Sequence, residues 1–350
     1  MTLKHWPHPN RRPGRVLPER IPKAIVLVHG IFSDHHTFST LHQRLATDAR
    51  FNGFEFFYFD YDYNEKLETN GTALRNALNE RFQPGDQVAI VAHSMGGLIS
   101  RLALLSTRLP FLKILFLVAT PNSGAIRLRQ LALLTQMMHF GVGTLFALFP
   151  RKAGIVELSQ AAKIMERNLS GAIHANDVDY VSIPGLYFHE ERGPLEFGRH
   201  LAAKGFSTLD VLCRISLAMV PLASVTINRP HDGIVEEDSN NLIKCPSGTW
   251  HEKVNSIQDR RSTLATYAHV RLKECSTLTH VDVHHEPSVI ETIARITLVT
   301  FNLRSAHEAA LRRRQNKGEV QAEPARTRLE HWNDELSEYD KSRVQVFFDP

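Results

Sequence analysis

The fold is decided by one stretch of the chain, Val88-Ala-Ile-Val-Ala-His-Ser-Met-Gly-Gly97. The apolar residues of a buried strand lead directly into Ser94, and a helical pattern follows over residues 98–105. A serine at such a sharp strand-to-helix turn has a strained backbone, and its hydroxyl is lifted clear of the sheet. The turn closes when the residues two before and two after the serine are small, and here they are Ala92 and Gly96. We therefore predict that Ser94 is a nucleophile.

Short apolar runs alternate with helix-like segments around this stretch, which predicts an α/β fold with a mostly parallel sheet. Near-continuous apolar runs are expected where helices cover both faces of a strand. The predicted strands are Ala24–His29, Phe54–Asp60, Gln87–Ala92, Ile114–Ala119, Asp179–Tyr187, Ser224–Asn228 and Ala268–Glu274. A helix is predicted over Gly71–Arg81, and a closing helix over Pro287–Arg304 begins at a proline that suits a first helical turn.

Five segments together resemble the lipase-like α/β-hydrolases, and they occur in the order in which that family carries them. They are HGIFSD (29–34), AHSMGG (92–97), ATPNSG (119–124), DGIV (232–235) and LTH (278–280). The resemblance covers residues 24–304 and implies an α/β-hydrolase fold, with a catalytic triad at the carboxyl edge of a central sheet. It implies neither a metal nor an organic cofactor. One departure is Ala92, where the usual pattern has a glycine.

The resemblance also implies an oxyanion hole, a pair of backbone N–H groups that bind the developing negative charge. Met95 follows the nucleophile at the start of a helix, where its N–H can donate to that charge. The second donor of the family comes from the loop after the first predicted strand, and we assign it to Ile31, with Phe32 as the alternative. Gly30 lets the backbone approach the substrate closely, and His29 is expected to be structural.

The remaining triad members follow from the order of the family, which is serine, then acid, then histidine. Asp232 is assigned as the acid, because it follows an apolar run and opens a segment resembling the acid-bearing segment of lipase-like hydrolases. Its rivals are Glu236, Glu237 and Asp238. His280 is assigned as the base, on the loop between the last predicted strand and the closing helix. Its alternatives are His284 and His285, which fit surface histidines better.

Outside these motifs the chain divides into parts of different composition. Residues 1–23 are a basic, proline-rich arm, interpreted as a solvated extension, with an anionic membrane surface or partner as the alternative. The hydrolase domain is predicted over residues 24–304, and residues 125–178 and 187–223 are expected to be helical lid or cap insertions. Residues 305–350 are polar and are expected to form a peripheral helix or a flexible tail.

Composition limits the partners and the compartment. The formal net charge of +4 is too small to suggest a nucleic-acid partner. The cysteines are odd in number and widely spaced, which argues against a disulfide framework or a zinc site and favours a cytoplasmic location. They are Cys213, Cys245 and Cys275. His35 and His36 lack a suitably spaced third ligand, so no metal site is expected. The uncharged stretch Leu131–Phe149 contains glycines and polar residues, which favours a lid helix over a membrane span.

On these grounds we expect a serine hydrolase that cleaves carboxylic esters through an acyl-enzyme on Ser94. The apolar insertion favours a hydrophobic acyl or lipid ester as the substrate, and peripheral contact with a membrane. The same triad would also serve a thioesterase, an amidase or an acyltransferase. An inactive binding or membrane-surface protein on the same scaffold is the alternative of another class. The sequence predicts neither the acyl chain length nor the oligomeric state.

Overall fold

A computed structural model describes the parts of the chain that form the sheet, the helices around it and several loops. The described residues are 1–9, 21–31, 33–105, 109–124, 178–186, 232, 235, 237–240, 267–272, 278–315, 332 and 344–348. The predicted lid insertions, the strand predicted over Ser224–Asn228 and the three cysteines lie outside these residues, apart from the last residue of the first insertion.

The centre of the fold is an eight-stranded sheet with the order β1-β3-β2-β4-β5-β6-β7-β8. The strands are β1 Thr2–Trp6, β2 Lys23–Val28, β3 Glu55–Asp60, β4 Gln87–His93, β5 Leu112–Val118, β6 Asp179–Ile183, β7 Tyr267–Leu272 and β8 Val344–Phe348. All neighbours from β3 to β7 pair in parallel, whereas β1 and β8 pair antiparallel to β3 and β7 at the two edges. The sheet is therefore mostly parallel, as predicted.

Helices cover both faces of this sheet. They are α1 Ser39–Thr47, α2 Leu67–Arg81, α3 Met95–Leu105, α4 Glu237–Asn240 and α5 Pro287–Gln315. In β2, Ala24 and Val26 face the core under α2 and α3, whereas Ile25 and Leu27 face the core that includes residues of α1 and α5. Because successive side chains of a strand point to opposite faces, burial on both faces explains the continuous apolar runs.

The first residues of the chain differ from the solvated arm that the sequence suggested. Thr2–Trp6 form an edge strand, in which Trp6 lies opposite Phe56. The indole of Trp6 also stacks on His42 of α1, with ring centroids 4.3 Å apart. The stack of Trp6 on His42 and the pairing of β1 with β3 thus hold a segment whose basic composition had suggested a solvated arm. Residues 10–20 of the arm lie outside the described part.

The other end of the chain also extends the sheet beyond residues 24–304. The closing helix continues past the predicted end to Gln315, and Val344–Phe348 pair with β7. Trp332 is buried, and its indole N–H donates to the Thr300 hydroxyl at 3.1 Å. The residues after 305 therefore supply an edge strand and a core side chain. No helix within the described residues is long and apolar enough to cross a membrane.

Candidate active site

Ser94 lies at a strained turn between β4 and α3. Its φ of 53° is in the left-handed region, which residues other than glycine rarely adopt. The turn is held by the Ser94 N–H, which donates to the carbonyl of Val118 at 2.9 Å. A Cβ at Gly96 would collide with the carbonyls at the end of β2, and a Cβ at Gly97 would collide with the Thr120 side chain. The small residues of the motif thus let α3 start directly against the sheet.

Three predicted residues meet at this turn although they lie far apart in the sequence. The Ser94 Oγ lies 2.8 Å from Nε2 of His280, and Nδ1 of His280 lies 2.7 Å from Oδ2 of Asp232. All three are almost completely buried, with exposed fractions of 2%, 1% and 1% in that order. A carboxylate only accepts hydrogen bonds, so Nδ1 carries the ring hydrogen. Nε2 is then free to accept the proton of the serine hydroxyl.

Backbone contacts fix the orientation of Asp232. Its Oδ1 accepts the N–H of Val235 at 2.7 Å, which leaves Oδ2 for the histidine. The Asp232 N–H donates to the Val235 carbonyl at 3.1 Å, and the His280 N–H donates to the Asp232 carbonyl at 3.0 Å. Gly185 packs closely against the Asp232 side chain, because a Cβ at Gly185 would lie only 2.8 Å from the Cβ of Asp232. Both carboxylate oxygens therefore have assigned partners.

His93, the residue before Ser94, connects the turn to the loop that carries His280. Its Nε2–H donates to the backbone carbonyl of His280 at 2.9 Å. Its ring lies 4.9 Å from the ring of His280 and 4.4 Å from that of His284. Burial, and then the neighbouring histidines, lower the pKa values of His93 and His284 well below the ordinary range. Both rings therefore stay neutral beside His280.

The rival residues have other surroundings. The sequence favoured surface positions for His284 and His285, which is wrong for His284: it is buried and packs edge-on against Phe38, with ring centroids 5.6 Å apart. His285 is exposed. Among the rival acids, Glu237 lies 3.4 Å from His269 on β7. Asp238 is half-buried in α4, and Glu236 lies outside the described residues. Of the described candidates, the structure thus brings Asp232 and His280 to Ser94, and not His284, His285, Glu237 or Asp238.

The predicted oxyanion loop lies directly against the nucleophile. A Cβ built at Gly30 would be 3.0 Å from the Cβ of Ser94, so the backbone passes the serine as closely as a glycine permits. Ile31 follows and is buried, and Met95 is the first residue of α3. The alternative donor, Phe32, lies outside the described residues. Two backbone N–H groups, those of Ile31 and Met95, are thus candidates for binding an oxyanion.

His29 holds the shape of this loop. Its Nδ1–H donates to the carbonyl of Gly30 at 2.8 Å, and its own carbonyl accepts the Tyr61 hydroxyl at 2.7 Å. The rings of His29 and Tyr61 stack with centroids 4.3 Å apart. Burial lowers the pKa of His29, which keeps the ring neutral. These contacts support the structural role that the sequence suggested for this histidine.

A buried polar network, absent from the sequence prediction, ties the acid segment to the end of β5. Arg101 of α3 donates to Oδ1 of Asn122 at 2.9 Å, and the Asn122 amide donates to the carbonyl of Asn240 at 2.6 Å. The Asn240 amide in turn donates to the carbonyls of Leu117 and Thr120, at 3.3 and 3.2 Å. The one signal for it was a single arginine inside the otherwise apolar run of α3. A charged residue at such a position needs buried partners.

The described ranges contain no group of three or more His, Cys, Asp or Glu side chains that could hold a metal ion. His35 and His36 lie at the start of a short 3₁₀ turn, His35–Phe38. His35 stacks on Tyr58 with centroids 4.0 Å apart, and its Nδ1 lies 3.4 Å from Asp60. His35 is thus part of the packing around β3, whereas His36 is exposed.

Comparison with known proteins places the chain in a family. A family model described as the Alpha/beta hydrolase family matches residues 25–226. A search of curated proteins gives no match. Among solved structures, the mature lipase BlEst2 of Bacillus licheniformis is 20% identical with a TM-score of 0.46, covering 69% of this chain and 85% of the lipase.

Two further solved structures are similar at lower identity. The metagenomic carboxyl esterase MGS0156 is 16% identical with a TM-score of 0.40, covering 67% of this chain and 66% of the esterase. Esterase B of Lactobacillus rhamnosis is 14% identical with a TM-score of 0.43, covering 86% of this chain and 82% of that protein. The family model, which spans more than half of the 350 residues, carries the assignment. The chain belongs to the α/β-hydrolase family.

Proposed function

We propose that the protein is a serine hydrolase that cleaves carboxylic esters through an acyl-enzyme on Ser94. The observation that supports this most directly is the hydrogen-bonded chain from Ser94 through His280 to Asp232, with contacts of 2.8 and 2.7 Å. Membership of the family raises the expectation of a hydrolase but does not decide the substrate. The chemistry is therefore argued from the site.

In the first step, Nε2 of His280 removes the hydroxyl proton as the Ser94 Oγ attacks the ester carbonyl. The N–H groups of Met95 and Ile31 bind the oxyanion of the tetrahedral intermediate. His280 then gives its proton to the leaving alcohol, and the carbon–oxygen bond breaks to leave Ser94 acylated. Asp232 stabilises the imidazolium and keeps the hydrogen on Nδ1 throughout this step.

In the second step, His280 removes a proton from water as the water oxygen attacks the acyl-enzyme. The same N–H groups bind the second oxyanion, and collapse of the intermediate returns the proton to Ser94 and releases the carboxylic acid. Every proton is carried by His280, so the reaction uses no metal or organic cofactor. A thioester or an amide would follow the same path with another leaving group, and another alcohol could replace water as the acceptor.

The substrate class rests on the composition of the chain after the ATPNSG segment. Residues 125–149 are rich in leucine and phenylalanine and lie, in sequence, between β5 and β6. The carboxyl ends of these strands are at the edge that carries Ser94. An apolar segment inserted at this edge favours a hydrophobic acyl or lipid ester as the substrate.

The test is hydrolysis of p-nitrophenyl esters with acyl chains of about two to sixteen carbons, a range that separates esterases from lipases, by wild type and by Ser94→Ala. Turnover that disappears in the variant supports the proposal, and the preferred chain length identifies the acyl class. Ser100→Ala is a matched control, because Ser100 is a buried serine of α3 that donates to the carbonyl of Gly96. It removes a helix-internal hydroxyl of modest effect and should leave turnover close to wild type.

Labelling with a fluorophosphonate probe separates the remaining outcomes. Turnover of no ester together with no labelling of Ser94 would overturn the proposal in favour of an inactive binding protein on the same scaffold. Labelling without ester turnover would leave an activated serine and shift the substrate to a thioester, an amide or an acyl-transfer acceptor. Co-sedimentation with anionic liposomes, with and without residues 1–20, tests contact with a membrane surface.

A further inference from the structure

A second chain of serine, histidine and carboxylate lies in the sheet beside the first and shares no residue with it. Ser182 of β6 and His269 of β7 are paired directly across the two parallel strands. The Ser182 Oγ lies 2.8 Å from Nδ1 of His269, and Nε2 of His269 lies 3.4 Å from Oε1 of Glu237. The proposed mechanism gives these residues no role.

This second chain is not another active site. Ser182 and His269 have exposed fractions of 0% and 1%, inside a sheet whose two faces are covered. Among the described residues other than glycine, only Ser94 and Ala119 have a positive φ. Ser182 therefore lies in a regular strand, with no strained turn to present its hydroxyl.

The hydrogen bonds of this chain have a definite direction. The carboxylate of Glu237 only accepts, so Nε2 of His269 carries a hydrogen, and in the neutral ring Nδ1 accepts the hydroxyl proton of Ser182. The Ser182 Oγ also lies 3.4 Å from the carbonyl of Ala268. Glu237 is partly exposed, at 17%, and its carboxylate also faces the Arg271 guanidinium at 3.6 Å. Burying an imidazole costs free energy unless its polar atoms have partners. Here those partners join two strands of the sheet to the start of α4.

The start of α4 belongs to the segment that carries the proposed acid. Glu237 is its first residue, shortly after Asp232 in the chain, and Asn240 is its last. Asn240 is held at the end of β5 by bonds to the carbonyls of Leu117 and Thr120. The segment is thus anchored at β5 through Asn240 and at β7 through His269, with Arg271 of β7 also facing Glu237. Two anchors on different strands restrict both the translation and the rotation of the segment.

We propose that His269 is a positioning residue, which places the carboxylate of Asp232 against His280 by holding Glu237. The inference rests on the proposed function and extends it to a residue that touches no substrate. Displacement of a reacting group by about 1 Å can lower a rate roughly 100-fold. Because the Asn240 anchor remains when His269 is replaced, we expect a smaller loss, of about tenfold in kcat with little change in KM.

The matched pair of variants is His269→Asn and His269→Gln. The asparagine amide reaches the position of Nδ1 and can meet only Ser182, whereas the glutamine amide reaches the position of Nε2 and can meet Glu237. The proposal predicts that the glutamine variant keeps most of the wild-type kcat and that the asparagine variant does not. Equal kcat values for the two variants would overturn it. Glu237→Ala, at a partly exposed position, should lower kcat as far as His269→Asn does.

A double-mutant cycle with Asp232→Asn separates positioning from a general loss of structure. If His269 acts through the acid, His269→Asn slows fluorophosphonate labelling of Ser94 in the wild-type background but not in the Asp232→Asn background. Equal slowing in both backgrounds, or none in the wild-type background, would overturn the inference. If the wild-type protein neither hydrolyses esters nor reacts with the fluorophosphonate probe, the proposed function itself fails. That result differs from equal slowing in both backgrounds and from no slowing in the wild-type background.

Discussion

Replacement of Asp232 by asparagine tests the proposed mechanism most sharply, because the surroundings dictate how the new side chain must point. Oδ1 of Asp232 accepts the Val235 N–H at 2.7 Å. The asparagine oxygen must take that position, since an NH₂ group there would face another donor. The NH₂ group then points at Nδ1 of His280, which must accept. The ring hydrogen moves to Nε2, and His280 can no longer accept the proton of Ser94.

The size of the effect follows from the distance between the two groups. Unit charges on Nδ1 and Oδ2, 2.7 Å apart, attract by about 6 kcal/mol at an effective dielectric constant of about 20. The dipole of the asparagine amide retains part of this attraction. The hydrogen on Nε2 lowers the rate further, because His280 cannot then accept the serine proton. We therefore expect kcat to fall by about 10³- to 10⁴-fold, with KM nearly unchanged because Asp232 does not contact the substrate.

The assay is steady-state hydrolysis of the best p-nitrophenyl ester by wild type, Asp232→Asn and Asp232→Ala. The alanine variant leaves the imidazole free to choose its tautomer, so the asparagine variant should be no more active than the alanine variant. Asp238→Asn is the matched control, since Asp238 was a rival for the acid and lies in α4. It should stay within about threefold of wild type, as ordinary partly exposed positions do. An Asp232→Asn enzyme with a tenth of wild-type kcat would refute the assigned tautomer and role.

Two further predictions concern stability. Burial lowers the pKa of His42 to about 4, whereas an unfolded histidine titrates near pH 6.5. Between these two pH values the unfolded chain therefore binds more protons than the folded chain. The free energy of unfolding thus falls as the pH is lowered from 6.5 towards 4. His42→Phe, which keeps an aromatic ring against Trp6, should flatten this slope by up to about 1.4 kcal/mol per pH unit in urea titrations, and an unchanged slope would contradict the assignment. Gly97→Ala should lower the free energy of unfolding by about 1–3 kcal/mol, because its Cβ collides with the Thr120 side chain; Thr120→Ala in the same chain should restore part of this, whereas additive losses would exclude the collision.

The interior strands could be predicted from the sequence because their signal is local. In β4 and β5 every residue is buried, so the sequence shows a nearly continuous apolar run, broken only by Gln87, His93 and Lys113 near the strand ends. The turn at Ser94 could also be predicted from the sequence, because a turn this sharp requires small residues two positions before and after the serine. The structure confirms the predicted fold class, and the family match confirms the resemblance to α/β-hydrolases.

The edge strands could not be predicted in the same way. Thr2–Trp6 contain a lysine and a histidine, and the segment is a strand only because β3 lies beside it. The carboxylate of Glu55 and the imidazole of His5 meet across these strands at 3.1 Å, which a local pattern does not reveal. Val344–Phe348 follow a long polar segment and gain their place from β7. An edge strand has one partner and one exposed side, so its composition tolerates charge.

The candidate site shows the same division between local and distant causes. The sequence left several acids and three histidines open, and the choice among them depends on distances between loops that only the assembled sheet defines. Ser182 and His269 show this most clearly, because they face each other across two strands separated by a long stretch of chain. The proposed nucleophile lies on a turn that the sequence encodes within a few residues, whereas we propose that the acid is positioned by anchors on β5 and β7. Variants of those anchors should therefore slow labelling of Ser94 only while Asp232 is present, because they act through the acid and leave the turn at Ser94 intact.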